Sequence, residues 1–137
     1  MSKGVILFAH NNRQIDYARI SILAAKLAIK NLQVPVSLVT DPSTMDWMKE
    51  SGIDKIAADT FDKIIITQRP EDSNNVKNYF DGNNRTPATF TNGNRFSVWD
   101  QTPYDRTLMM DTDYLTLTNT LSSYWDADED LLISSKY

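Results

Sequence analysis

The residues with the clearest chemical meaning are two carboxylates, Asp111 and Asp113, which directly follow the apolar run at residues 108–110. A short apolar run is typical of a buried strand, and residues two apart in an extended chain point to the same side. Carboxylates at the end of a buried strand are costly to desolvate unless a cation or hydrogen-bond donors receive them. A divalent metal that carries a diphosphate is one such cation, since Mg²⁺ and Mn²⁺ take oxygen ligands.

A second pair at the same spacing, Asp126 and Asp128, shows that the pattern also arises by chance. It lies in an acidic stretch that no apolar strand precedes, and we interpret it as a solvated loop. A strand-ending turn with solvated carboxylates is also the alternative interpretation for Asp111 and Asp113. The strands and helices around Asp111 and Asp113 are needed to distinguish a metal site from a solvated turn.

The composition narrows the class of protein. The 137 residues suffice for one domain with a real core, and the net charge of -4 without a basic run argues against nucleic-acid binding. The absence of cysteine excludes disulfides and thiolate metal sites, and the single histidine, His10, argues against zinc. The apolar stretch at residues 5–9 is too short for a signal peptide or a membrane span, so we expect a cytoplasmic protein without membrane association.

The first half of the chain alternates between strand and helix patterns. Asn11 or Asn12 is the expected N-cap of the first helix, and Gly52 ends the second. A βαβαβ order predicts an α/β, Rossmann-like fold, with a mainly parallel sheet flanked by helices and His10 and Asp111 at the carboxyl ends of its strands. The predicted strands and helices cover residues 5–9, 15–29, 34–40, 43–51 and 61–67.

The second half has a different composition. Residues 68–93 are rich in Asn, Asp, Pro and Gly, which predicts a long mobile loop with one helical turn at 76–80. After this loop come a predicted helix, the strand before Asp111, a helical turn and a last strand. Their predicted ranges are 94–102, 108–110, 121–125 and 131–133.

A longer pattern of residue types surrounds the two carboxylates. A basic residue opens the predicted helix, which ends near a tyrosine, and after the strand and the Asp-x-Asp motif come a leucine and an asparagine before an aromatic pair. The pattern resembles, without a gap, the donor-binding core of glycogenin-like GT-A glycosyltransferases (glycosyltransferase family 8-like). The N-terminal half is similar to that family too, so the resemblance spans nearly the whole chain. The residues concerned are Arg95, Tyr104, Asp111, Asp113, Leu115, Asn119, Tyr124 and Trp125, with Asp16, Tyr17 and Ala18 opening the first helix.

The resemblance implies a nucleotide-sugar donor, usually UDP-linked, which is held by Mn²⁺ or Mg²⁺. Asp111 and Asp113 would be the metal ligands, with Asp111 also near the ribose and Thr112 among the cofactor-binding residues. Arg95 stands where the family commonly has a lysine and would contact the diphosphate or the sugar. A solvated helix residue is the other interpretation of Arg95.

The resemblance also implies a pocket for the base, lined by Ala9, His10, Asn11 and Tyr17. A strand end beside a helix start is where α/β sheets bind nucleotides. We interpret His10 as part of the pocket wall or as a surface turn residue, and not as a catalytic residue. The alternative interpretation of Tyr17 is an aromatic residue of the helix that faces the core.

The resemblance assigns no catalytic residue to this chain. The sequence ends at Tyr137, whereas family members continue with a second half that holds the acceptor site and a further metal-ligand histidine. We therefore expect a single nucleotide-sugar-binding domain over residues 1–137, whose site is weak unless a second copy or another chain completes it. Uncovered apolar surface and an exposed sheet edge would favour such an oligomer.

Two other functions stay open. A phosphohydrolase of the haloacid dehalogenase type also has Asp-x-Asp after an apolar strand. In that class the motif is near the N-terminus, and Thr or Val stands where this chain has Leu115. The third hypothesis is a non-catalytic or truncated module that binds a nucleotide or forms oligomers.

Overall fold

The aliphatic runs of the sequence become strands and its amphipathic segment becomes the longest helix in a computed structural model, which describes residues 1–69, 76–89 and 93–133. Two 3₁₀ helices, Gly93–Ser97 and Thr120–Asp126, complete the regular structure of these ranges. The strands and helices are β1 (Lys3–Phe8), α1 (Tyr17–Leu32), β2 (Val36–Thr40), α2 (Pro42–Ser51), α3 (Asp54–Thr60), β3 (Ile64–Ile66), β4 (Val76–Asp81), β5 (Asn84–Thr89), α4 (Val98–Gln101) and β6 (Arg106–Met110).

Four of the strands form one parallel sheet in the order β3-β2-β1-β6. The central strand β1 aligns Val5 with Val36 of β2 and Leu7 with Met110 of β6. This arrangement confirms the predicted α/β class with a parallel sheet flanked by helices. Its finer assignment as a GT-A donor-binding half stays a prediction.

The core lies on both faces of this sheet, as expected for strands in an α/β protein. Successive residues of β1 alternate between the faces. Val5 and Leu7 belong to the larger cluster, which α1, α2 and α3 cover, while Ile6 and Phe8 belong to a smaller cluster against which Val98 of α4 packs. Both faces of β1 are therefore dry, and the polar residues that follow it mark the edge of the sheet.

Helix α1 begins later than the sequence predicts. The expected N-cap, Asn11 or Asn12, is wrong: the cap is Asp16, whose Oδ1 accepts the backbone N–H of Arg19 at 3.1 Å. The reason is that Asn12 Oδ1 instead accepts the N–H groups of Gln14 and Ile15, at 2.9 and 2.7 Å, and so closes a turn before the helix.

The predicted long loop with a helical turn at 76–80 is wrong where the chain is described. Strands β4 and β5 form an antiparallel hairpin that pairs Asp81 with Asn84. Gly82 opens its two-residue turn with φ 59°, a left-handed conformation that glycine adopts without steric cost. Residues 70–75 and 90–92, which belong to the same predicted loop, lie outside the described residues, and the predicted mobility stays untested.

Two further expectations for the second half need correction. The predicted helix at 94–102 divides into a 3₁₀ turn and the short α4, with Phe96 and Trp99 exposed. No strand forms at 131–133, where the three apolar side chains are exposed and the run is too short to fix a conformation by itself. The helical turn predicted at 121–125 is present within the second 3₁₀ helix.

In the ranges that the structure describes, no helix has the length and apolar character needed to cross a membrane.

Candidate functional site

The candidate site lies at the carboxyl edge of the sheet, where β1 and β6 end side by side. Leu7 of β1 aligns with Met110 of β6 in a parallel register, so Asp111 stands level with Phe8, two residues before His10. The prediction that Asp111 lies beside the loop after the first strand is therefore confirmed.

The loop after β1 is held by hydrogen bonds from its asparagines and to its backbone. Asn11 Oδ1 accepts the N–H of Ala18 at 2.8 Å, and Asn11 Nδ2 donates to Asp16 at 3.2 Å. The backbone N–H of Asn11 donates to Thr44 Oγ1 at 3.0 Å. These contacts tie the loop to the starts of α1 and α2, so its shape is fixed without a ligand.

A buried carboxylate, Asp41, is the centre of this edge and was not singled out by the sequence. Its side chain is fully buried and accepts hydrogen bonds from the backbone N–H of Thr44 at 2.9 Å and from Ser43 Oγ at 2.5 Å. His10 Nδ1 lies 2.7 Å from Asp41 Oδ2. Burial alone would raise the pKa of Asp41, yet the hydrogen bonds from His10, Ser43 and Thr44 together hold it well below its usual range.

The ionised state of Asp41 determines which ring nitrogen of His10 carries a proton. A carboxylate only accepts hydrogen bonds, so Nδ1 of His10 carries the proton in this contact. The His10 side chain is nearly buried, 4 % exposed. The side chain of His10 is therefore buried and held in place by Asp41, and His10 is not a surface turn residue.

Arg69 is the second residue that the sequence did not indicate. It follows β3, and its Nη1 donates to the backbone carbonyl of Asn11 at 2.9 Å and lies 3.4 Å from Asp41 Oδ2. Its side chain is 34 % exposed, so one end of the guanidinium faces the loop while part of it reaches solvent. The loop after β1 is therefore bound from the β3 side as well.

The other two predicted base-pocket residues belong mainly to the core. Ala9 is buried, and its backbone forms hydrogen bonds with β2. Its N–H donates to the carbonyl of Val39, and its carbonyl accepts from Thr40 Oγ1. Tyr17 is half-buried and packs against the larger core cluster. Their positions border the loop, and their contact with a base stays a prediction.

The two carboxylates of the predicted metal site are both accessible. Asp111 is 58 % exposed, Asp113 is exposed, and Thr112 between them is buried. The backbone carbonyl of Asp111 accepts the N–H of Tyr114 at 3.1 Å, which closes a turn. The buried Thr112 anchors this turn while its neighbours on both sides reach solvent.

Arg95 forms an ion pair with Asp111 through Nη1 and Oδ1. The short helical segment after the hairpin thus brings its basic residue to the end of β6, as the resemblance requires of a residue near the diphosphate. The side chain of Arg95 is 33 % exposed, so the alternative interpretation of Arg95 as a solvated helix residue stays open, as does its contact with a diphosphate.

The donor set fits a hard divalent cation in part. Within residues 1–69, 76–89 and 93–133 no group of three His, Cys, Asp or Glu side chains could hold a metal ion. Asp111 and Asp113 offer carboxylate oxygens of the kind that Mg²⁺ and Mn²⁺ prefer, and such ions usually take the remaining ligands from phosphate and water. The residues therefore fit an ion that arrives with a diphosphate, and not a closed protein site.

Trp125 lies away from this edge. Its backbone carbonyl accepts from Nη1 of Arg106, the first residue of β6, at 2.9 Å, so it is held at the opposite end of the strand from Asp111. The indole is buried, and its Nε1 has no hydrogen-bond partner among the described residues. This placement fits a core aromatic better than a sugar platform.

No model of a known protein family matches the sequence, and no curated protein matches it either.

Proposed function

We propose that this chain is a nucleotide-sugar-binding domain of the metal-dependent glycosyltransferase type. The observation that carries the proposal is the adjacency of β1 and β6, which brings Asp111 and Asp113 to the same edge as the His10–Asn11 loop. A ligand with a base at the loop and a diphosphate at the carboxylates fits this edge, and α/β sheets bind nucleotides at the carboxyl ends of their strands. UDP-sugars are the donor class that the resemblance supports, and a cytoplasmic location is part of the same proposal.

The residues of this chain would have separate tasks. Asp111 and Asp113 would hold the ion through their oxygens, and a bound Mn²⁺ or Mg²⁺ would stabilise the charge that develops on the departing diphosphate. Arg95 would add a positive charge beside the same phosphates. His10 and Asn11, fixed by Asp41 and Thr44, would present a rigid wall to the base.

The phosphohydrolase hypothesis is less well supported. The Asp-x-Asp motif lies late in this chain, whereas it is near the N-terminus in that class. Leu115 also stands where that class has Thr or Val. The structure adds that the motif follows β6, an outer strand of the four-stranded sheet, and not the central β1.

A binding module that assembles with a second copy is the second candidate, and one observation favours it. In the described part of the chain β6 pairs with β1 alone, and its Met109 is 44 % exposed. An outer strand with an exposed apolar side chain can pair with another strand. Such pairing is compatible with nucleotide binding and would place a partner chain next to Asp111.

Calorimetric titration with UDP, UDP-sugars and ADP, each with and without Mn²⁺, tests the proposed function. We expect uridine nucleotides to bind only with the metal, and binding to be lost in both Asp111→Asn and Asp113→Asn. Asp128→Asn is the matched control, since it removes an exposed carboxylate of the second Asp-x-Asp pair. Equal binding of UDP with and without Mn²⁺, or unchanged binding in both site variants, would defeat the proposal.

A further inference from the structure

The ion pair between Arg95 and Asp111 involves one of the two carboxylates that would hold a metal ion. Arg95 Nη1 contacts Oδ1 of Asp111, and Asp113 stands two residues further along the chain. Without a cation, two carboxylates at this spacing repel each other. The guanidinium of Arg95 relieves that repulsion at Asp111, and it cannot lose its charge at any ordinary pH.

A guanidinium and a divalent ion compete for the same carboxylate. Both are positive, so an ion held by Asp111 would repel the guanidinium of Arg95. Both partners are partly exposed, Arg95 by 33 % and Asp111 by 58 % of their side chains. The contact is also weak enough to exchange, because exposed ion pairs contribute little.

We propose that Arg95 is the counter-ion of Asp111 in the metal-free protein, and that a metal ion competes with Arg95 for the charge of that carboxylate. This inference rests on the proposed function for the identity of the metal. Once the ion holds Asp111, the released guanidinium has the diphosphate as its next anionic partner. Arg95 therefore opposes binding of the metal alone and favours binding of the metal together with a nucleotide.

Two effects of opposite sign distinguish this role of Arg95 from that of a merely structural arginine. Arg95→Gln should bind Mn²⁺ more tightly than the unmodified chain, by about threefold to tenfold, because it loses an exposed ion pair and a nearby positive charge. The same variant should bind UDP in the presence of saturating Mn²⁺ more weakly, by about tenfold, because a charge-assisted contact to the diphosphate is lost. The two effects have opposite signs.

Titration of Mn²⁺ followed by the electron paramagnetic resonance signal of the free ion measures the first effect without any enzymatic activity. Arg95→Lys should fall between the unmodified chain and Arg95→Gln, since it keeps the charge and loses the planar fork. Lys30→Gln is the matched control for net charge, because Lys30 lies in the last turn of α1, at the opposite end of the sheet. A urea unfolding curve for each variant establishes that the fold is retained.

An Mn²⁺ affinity that is equal or lower in Arg95→Gln, or no Mn²⁺ binding in either protein, would overturn the exchange. The two proposals fail separately. Metal-dependent UDP binding with unchanged Mn²⁺ affinity in Arg95→Gln would overturn the exchange and leave the proposed function. Tighter Mn²⁺ binding in Arg95→Gln without any UDP binding would support the exchange and overturn the nucleotide site.

Discussion

Asp41→Asn is expected to destabilise the fold far more than the same change at the other acidic helix cap, Asp16. Each residue is the N-cap of a helix, α2 and α1 respectively, and accepts a backbone N–H three residues further on. Asparagine caps a helix about as well as aspartate, so the loss of capping costs only a few tenths of a kcal/mol at either position. Asp16 also pairs with Arg19 and accepts from Asn11 Nδ2, but partly exposed contacts of this kind contribute little. The difference between the two variants therefore measures mainly the buried charge network around Asp41.

The structure allows the size of that difference to be estimated. Asp41 is fully buried and receives contacts from His10, Ser43, Thr44 and Arg69, whereas the side chain of Asp16 is 30 % exposed. The amide of asparagine has one acceptor oxygen, so several of the donors around Asp41 lose their partner. Hydrogen bonds to a buried charge contribute about 1.5–3 kcal/mol each, and we expect a loss of about 2–4 kcal/mol for Asp41→Asn. Asp16→Asn should cost less than about 0.5 kcal/mol.

The stabilisation by Asp41 also has a defined pH window. Its pKa in the folded chain is depressed below the ordinary value of 3.8, so its contribution is present above that value. It is lost progressively as the pH falls from there through the lower pKa of the folded state. Urea unfolding at pH 7 and at pH 3 measures both effects. A cost for Asp41→Asn that matches Asp16→Asn at pH 7, or that does not shrink towards pH 3, would refute the reasoning.

Three further predictions concern the fold. Gly4→Ala should destabilise the chain by about 1–3 kcal/mol in urea unfolding, since a Cβ there would lie 2.3 Å from the ring of Tyr104, and Tyr104→Leu should relieve part of that cost. Burial, opposed by a hydrogen bond with Ser37 and assisted by the carboxylate of Asp62, raises the pKa of Tyr104 to about 12, so ultraviolet titration should show a late step that Tyr104→Phe removes. Gly82→Val should open the hairpin, as seen by faster amide exchange in β4 and β5, without a change in exchange of the parallel sheet.

Local pattern was sufficient to predict the parallel sheet. The runs that become β1, β2 and β6 are aliphatic and end in polar residues, and α1 repeats its apolar residues at steps of three and four. A βαβ order then restricts the topology to a few arrangements. The meeting of His10 and Asp111 at one edge followed from these facts alone, because all parallel strands end on the same side.

The hairpin of β4 and β5 was not predicted, because the composition of this part of the chain favours a loop. Residues 68–93 are rich in Asn and Pro, which favours a loop, but the dipeptide Gly82-Asn83, which forms the turn, is also a turn signal of β-hairpins. Apolar residues are few in this segment, and Val76 and Phe80 alone give only a weak strand pattern. A short hairpin with few apolar residues has little sequence signature beyond its turn.

The network around Asp41 was missed for a different reason. His10 and Asp41 are 31 residues apart, and Arg69 is 28 residues beyond Asp41, so no spacing within one element relates them. One local signal was available: Asp41 followed by Pro42 and two hydroxyl residues is a typical helix start. It predicts the cap of α2, but the contact with the β1 loop exists only once β1 and β2 are paired.

The charge at the end of β6 explains why the proposed nucleotide site depends on a metal. Asp111, Asp113 and Arg95 together carry one net negative charge, which repels a diphosphate. A divalent ion changes that sum to one net positive charge, and the same side chains then attract it. No single contact has to be strong for this reversal. A neutral substitution at either carboxylate would also lower the negative charge, so nucleotide binding that simply followed net charge would improve in Asp111→Asn, whereas the proposed site predicts that it is lost. The sign of that one change separates coordination from bulk electrostatics.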